Sequence, residues 1–166
     1  MENNPSSVNA DGVFEPFRVE DVPVETWSEG DRFGSRFRRL GKFGGGSHVG
    51  VAIEELDPGK QSCPLHYHML EEEHLLILEG EVTLLLGDKS YLMSAGDYAC
   101  FPAGQKAGHA LLNHGETLCR YLVLGESNPN DVIVYPKSGR VSVRLTGEGY
   151  RQSATMEYWD GEDTKK

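Results

Sequence analysis

The sequence predicts an all-β fold, and three observations carry that prediction. Turn residues recur at short intervals, in GKFGGGS, LDPGK, LGDKS, SAGD, FPAGQKAG, NHGE, ESNPND and YPKSG. The segments between them are short and rich in Val, Ile, Leu, Tyr and Phe, and several alternate apolar and polar residues with period two. No stretch carries a long helical period. Strands packed this densely must close into a barrel or pair as two sheets, since open edges would aggregate.

Taken in order, residues 1–12 offer almost nothing to bury and are expected to be a disordered N-terminus. The basic stretch RFGSRFRRLGK, Arg32 to Lys42, reads as a solvated strand face that could also hold an anion. VGVAIEEL (49–56), HLLILEG (74–80) and EVTLLLG (81–87) are strands, with Gly80 turning the last two against each other. YACFP (98–102), HALLN (109–113), RYLVLG (120–125) and DVIVY (131–135) follow. In RVSVRL (140–145), Val141, Val143 and Leu145 alternate with Ser142 and Arg144, and YPKSG before it makes a hairpin turn. Cys100 and Cys119 fall in strands and read as core. Met156, Tyr158 and Trp159 are expected to pack the tail onto the barrel or a partner subunit, before a polar end at 161–166.

At 166 residues the chain fits a single domain, here 13–160. Its formal charge of -10 opposes binding to nucleic acid or to an anionic membrane surface. Three cysteines without CxxC spacing favour a reducing compartment, and MENNPSSVNADG lacks the basic start and apolar run of a signal peptide. A cytoplasmic protein is expected.

The chemistry concentrates in His66 to Gly80, HYHMLEEEHLLILEG. On a strand His66 and His68 project to one side and Tyr67 to the other, with Cβ atoms about 7 Å apart, a span two imidazoles can close on one ion. Met69 to Glu72 can turn the chain, so that a following strand returns Glu73 to the histidine pair. Glu71 and Glu72 then belong to the turn or outer face, and His74 points away. His109 opens a later apolar strand, where it is either a core residue or a further ligand. His48 has no partner at ligand spacing. Cys63 is either a soft ligand or redox switch beside His66, or a small buried turn residue.

These residues resemble the two motifs of the cupin family. The first, Gly, HxH, Glu and Gly, is matched by Gly59, His66, His68, Glu73 and Gly80. The second, Gly, PxG, His and Asn, is matched by Gly96, Pro102, Gly104, His109 and Asn113, with two extra residues between Gly104 and His109. The resemblance implies a double-stranded β-helix, a jelly-roll barrel with N- and C-terminal extensions. It also implies one divalent metal per chain on His66, His68, Glu73 and His109, and a homodimer. Three imidazoles and one carboxylate suit Mn, Fe, Co, Ni, Cu or Zn better than Ca or Mg. The activities implied are isomerisation of a sugar or sugar phosphate, dioxygenase or lyase chemistry, or non-catalytic sensing of a small-molecule ligand. Arg36, Arg38 and Lys106 are candidates for an anionic group of that ligand; no general base is assigned.

Overall fold

Short apolar runs bounded by glycine and proline become strands in the computed structural model, which describes residues 6–163. In chain order they are β1 (Glu25–Glu29), β2 (Phe33–Arg38), β3 (Val49–Leu56), β4 (Tyr67–His68), β5 (Glu73–Glu79), β6 (Glu81–Leu86), β7 (Lys89–Ser94), β8 (Tyr98–Phe101), β9 (His109–Leu112), β10 (Cys119–Glu126), β11 (Val132–Tyr135), β12 (Arg140–Val143) and β13 (Glu148–Arg151). A one-turn helix, α1 (Leu40–Phe43), links β2 to β3. The eight strands expected from the sequence are all present. β1, β7 and β13 were not foreseen, because their side chains are exposed almost throughout and leave no two-faced pattern to read.

One sheet has the spatial order β1-β2-β3-β10-β5-β8, every neighbouring pair antiparallel. Facing it, β7-β6-β9 and β13-β12-β11-β4 meet where His66 bridges His109. β3 and β10 pair along their whole length, from Leu56↔Cys119 to Val49↔Glu126, and form the spine of the barrel. Alternation sends Leu56, Leu75, Ile77, Val82, Leu84 and Leu111 into one continuous core between the sheets. Each such side chain contributes about 1.5–3 kcal/mol on full burial. Gly80 makes the β5–β6 turn at φ +77, and a Cβ there would sit 2.5 Å from the Leu118 carbonyl oxygen, so only glycine fits. Asn113 pins the far end of the core, its amide donating to the carbonyls of Leu56 and Thr117, each at 2.8 Å.

The Ser7 amide donates to the Phe43 carbonyl at 3.0 Å and Val8 bridges Phe14, so residues 6–14 lie against α1. Residues 1–5 and 164–166, expected to be mobile, lie outside the described residues. Met156, Tyr158 and Trp159 are 65% or more exposed and do not pack onto the barrel. Cys100 is exposed as well, because it lies opposite His74 on the outer side of the β5–β8 pair. Cys119 is buried in the core as expected.

Candidate metal centre

Two strand starts and one short strand bring the four sequence-identified residues together inside the barrel. His66 and His68 flank Tyr67, their rings edge to face with centroids 5.0 Å apart. Met69 to Glu72 turn the chain, and Glu73 opens β5. His109 opens β9 and bonds backbone to backbone with His66, through N–H···O contacts of 2.7 and 3.3 Å. The two additional residues after Gly104 do not displace it, and the Phe101 ring stacks flat on its imidazole at 3.8 Å.

Glu73 Oε2 is the point of convergence. It lies 2.8 Å from His109 Nε2, 3.4 Å from His68 Nε2 and 3.9 Å from His66 Nε2. Donors bound to one ion at about 2.1 Å stand about 3.0 Å apart at a right angle and about 3.4 Å at a tetrahedral one, so this spacing fits a single transition-metal ion. His66, His68 and Glu73 donors all fall within 4.8 Å of one another, and His109 joins them through Glu73. Across the sheet from Glu73, Gly125 carries no side chain; a Cβ there would press on Glu73 Cγ at 3.2 Å.

Hydrogen bonds on the far ring nitrogens select the tautomer that a metal needs. His66 Nδ1 donates to the Pro64 carbonyl at 3.0 Å, and His68 Nδ1 donates to Asp131 Oδ2 at 2.6 Å, leaving the Nε2 lone pairs inward. Asp131 is fully buried and also accepts from the Leu70 amide at 3.0 Å. Glu71, expected at the turn or outer face, is buried instead. It takes a two-pronged ion pair from Arg144, accepts from the Asn128 amide, and stands 3.3 Å from His68 Nδ1. The three glutamates thus divide into a buried anchor, an exposed residue at Glu72, and the inward ligand candidate. His74 faces out, as expected, and pairs with Glu72 at 2.9 Å.

The electrostatics suit ligation. Burial lowers the His66 imidazole, and the charge of His109 adds to this, bringing it to about 4, so the ring is neutral at pH 7. Burial would raise the Glu73 carboxyl, but the hydrogen bond from His109 and the charges of the three histidines outweigh it and bring it down to about 2. Burial pushes the Cys63 thiol up to about 12. Its sulfur approaches His66 on the Nδ1 side, at 3.5 Å, away from the inward nitrogens. Cys63 therefore fits the buried-turn reading rather than that of a thiolate ligand.

A cavity of about 620 Å³ opens to this cluster, with His68 and Glu73 on its floor and Arg39, Lys42 and Arg144 among its walls. A smaller chamber of about 190 Å³ lies beyond, against His66, His109 and Phe101. The candidates Arg36 and Arg38 are corrected here. Arg36 is held by Asp57 and Glu55, and Arg38 by the Glu20 and Val22 carbonyls, because β2 alternation turns both from the interior. Lys106 stands exposed in the loop before β9. Glu54, missed in the sequence, borders both cavities and accepts from the Tyr121 hydroxyl at 2.7 Å. Its parity with Ala52 and the fully buried Leu56 was the available signal.

An antiparallel barrel enclosing a three-imidazole, one-carboxylate cluster defines a class of small β-barrel protein equipped to hold a transition metal. Comparison with known proteins agrees on the fold. The Cupin domain family profile matches residues 52–125. A solved structure of a cupin-superfamily sugar phosphate isomerase from Silicibacter pomeroyi is 30% identical, with a TM-score of 0.68 over 76% of this chain and 82% of that one. A protein provisionally assigned as a sugar phosphate isomerase, from Acidithiobacillus ferrooxidans, is 29% identical, with a TM-score of 0.71 over 75% and 80%. Quercetin 2,3-dioxygenase of Bacillus subtilis is 30% identical over 110 residues, 61% of this chain and 32% of that enzyme, so the chain spans about a third of this curated relative. The chain belongs to the cupin superfamily. Among the described residues no helix is long and apolar enough to cross a membrane.

Proposed function

We propose that the protein is a metal-dependent enzyme acting on a small anionic metabolite, a sugar phosphate being the best fit, with isomerase-like chemistry. The observation that carries this reading is the convergence of three imidazole nitrogens on Glu73, which together with His68 borders a cavity with basic side chains on its wall. The cavity, about 620 Å³, has room for a phosphorylated sugar. Arg39 is paired with Glu25 and Arg144 with Glu71, whereas Lys42 has no ion-pair partner among the described residues and is free to meet a phosphate. The two isomerase-like relatives support the substrate class.

In this reading His66, His68, Glu73 and His109 hold one divalent metal per chain. The metal, when bound, supplies a Lewis acid that polarises a carbonyl oxygen. The chain's own residues do the remainder. Asp131 and the Pro64 carbonyl keep His68 and His66 in the ligating tautomer, Phe101 fixes the plane of His109, and Lys42 and Arg39 orient the anionic end of the substrate. The homodimer in this reading rests on kinship, and the cytoplasmic location on three cysteines without CxxC spacing; light scattering on the purified protein measures the oligomer directly.

The test is turnover. Manganese- or zinc-loaded protein is incubated with aldose and ketose phosphates of five and six carbons, and interconversion is followed by mass spectrometry after chromatography. Interconversion by wild type, lost in H66A/H68A, supports the proposal. Binding without conversion would leave a sensor, and oxygen consumption with a phenolic substrate would favour the dioxygenase chemistry of the Bacillus subtilis relative.

A further inference from the structure

Glu54 is a carboxylate placed where a structural residue has no reason to be. β3 carries it on the inward side between Ala52 and Leu56, and Leu56 at the next inward position is fully buried in the apolar core. An inward acid there costs desolvation unless something uses or satisfies it. It stands where the mouth cavity meets the inner chamber, bordering both, and Glu73 borders both with it. Lys42 and His68 border the same mouth cavity as Glu54.

We propose that Glu54 is the carboxylate that moves the proton in this site, with Tyr121 as its positioning residue; this rests on the isomerase reading above. Tyr121 is the residue directly across from Glu54 in the β3–β10 ladder, and its buried hydroxyl donates to Glu54 Oε2 at 2.7 Å. That bond fixes one carboxylate oxygen of a residue that borders both cavities. On the other side Ser35 of β2 approaches Glu54, while its hydroxyl oxygen accepts from Trp27 Nε1 at 3.0 Å. The carboxylate is therefore gripped from two neighbouring strands, as a group that must present one oxygen in a fixed direction would be.

The surroundings give the two carboxylates of this site different properties. The groups facing Glu54 are Tyr121 from β10, Ser35 from β2, Glu73 from β5, Cys63 from the turn before β4, and Arg39 after β2. Burial raises the Glu54 carboxyl above the ordinary range and the Glu73 charge adds to this, against hydrogen bonds from Tyr121 and Ser35. Glu73 converges with the imidazoles as a ligand candidate, which leaves Glu54 as the carboxylate bordering both cavities that is not committed to that cluster.

The step balances without a co-reactant. The C2–H bond beside the sugar carbonyl breaks, its electron pair becomes the C=C bond of an enediolate, and the carbonyl π pair moves onto O1 while the proton passes to the Glu54 carboxylate. Return of that proton to C1, with transfer of the O2 hydroxyl proton to O1, regenerates the carboxylate and yields the isomeric carbonyl.

The experiment follows deuterium wash-in from D2O into ribose 5-phosphate and glucose 6-phosphate, by mass spectrometry, with zinc-loaded wild type, E54Q and Y121F. Wild type exchanges the C–H hydrogen; E54Q falls at least ~100-fold, the lower end for loss of a general base. Its metal content per chain stays unchanged and its calorimetric Kd for the sugar phosphate stays within about threefold, since the variant removes proton transfer and not binding. Y121F falls about tenfold and its acid limb moves to higher pH, because the donor that favoured ionised Glu54 is gone. Wash-in that persists in E54Q at more than a tenth of wild type overturns the role of Glu54 and leaves the isomerase reading standing. No wash-in by wild type overturns both. A melting temperature lowered in E54Q, with exchange falling only in step with the folded fraction, also overturns it and makes Glu54 structural.

Discussion

Replacing Asp131 by Asn changes one atom and tests the tautomer argument directly. Asp131 is fully buried and accepts two hydrogen bonds, from His68 Nδ1 at 2.6 Å and the Leu70 amide at 3.0 Å. In D131N the amide oxygen satisfies Leu70, and the NH2 group then faces His68. A donor there favours the tautomer in which Nδ1 accepts and the proton sits on Nε2, the nitrogen aimed at Glu73, against the weaker pull of Glu71 Oε2 at 3.3 Å from Nδ1. His68 can then ligate only after breaking the new bond or losing that proton. Loss of such an outer partner weakens metal binding about 10- to 100-fold, or about 1.4–2.8 kcal/mol. Loss of a charge-assisted bond costs the fold about 1.5–3 kcal/mol more. The assay is competition for zinc against a chromophoric chelator at pH 7, run beside a urea melt of the metal-free protein. D131N with wild-type zinc affinity would refute the reasoning, since no tautomer would then be set by Asp131.

Acid should destabilise the metal-free protein in two windows. The His66 drop from 6.5 to about 4 means that the unfolded chain takes up a proton first, so about 3 kcal/mol of stability at most is lost as pH falls through that interval. Glu73, lowered from 4.5 to about 2, adds a loss between those values. H66A should flatten the upper window in urea melts recorded from pH 7 to 4. G80A combines a left-handed backbone with a Cβ 2.5 Å from the Leu118 oxygen and should cost about 2–4 kcal/mol, read from the denaturation midpoint. K42A should raise the Kd for a sugar phosphate about tenfold while leaving zinc affinity unchanged, because Lys42 borders the cavity without touching the imidazoles.

The parts of the site that could be read from the sequence are those encoded within one strand or one turn. HYH parity placed His66 and His68 together, and four intervening residues were enough to predict the return of Glu73. The barrel was legible because β5, β6 and β10 carry their core residues at regular alternation. Asp131 was not, because it comes from 63 residues away and sits at the mouth of what reads simply as the strand DVIVY. Glu71 was misread for a related reason. A run of three acids looks solvated, and only Arg144, 73 residues on, supplies the charge that lets one of them be buried. The basic residues were misassigned because those on β2 face outward, whereas Arg39 and Lys42 lie past its end where the chain crosses the cavity. Glu54 was within reach, since an acid in phase with Leu56 is anomalous by the same parity that found the histidines.

If the imidazole cluster of this cupin holds a metal ion, elemental analysis of the purified protein will find it. Close to one transition-metal ion per chain is expected in wild type and almost none in H66A/H68A, with both proteins folded by circular dichroism. A folded wild type that binds no metal after incubation with zinc or manganese, or a double variant that keeps its full complement, would contradict it.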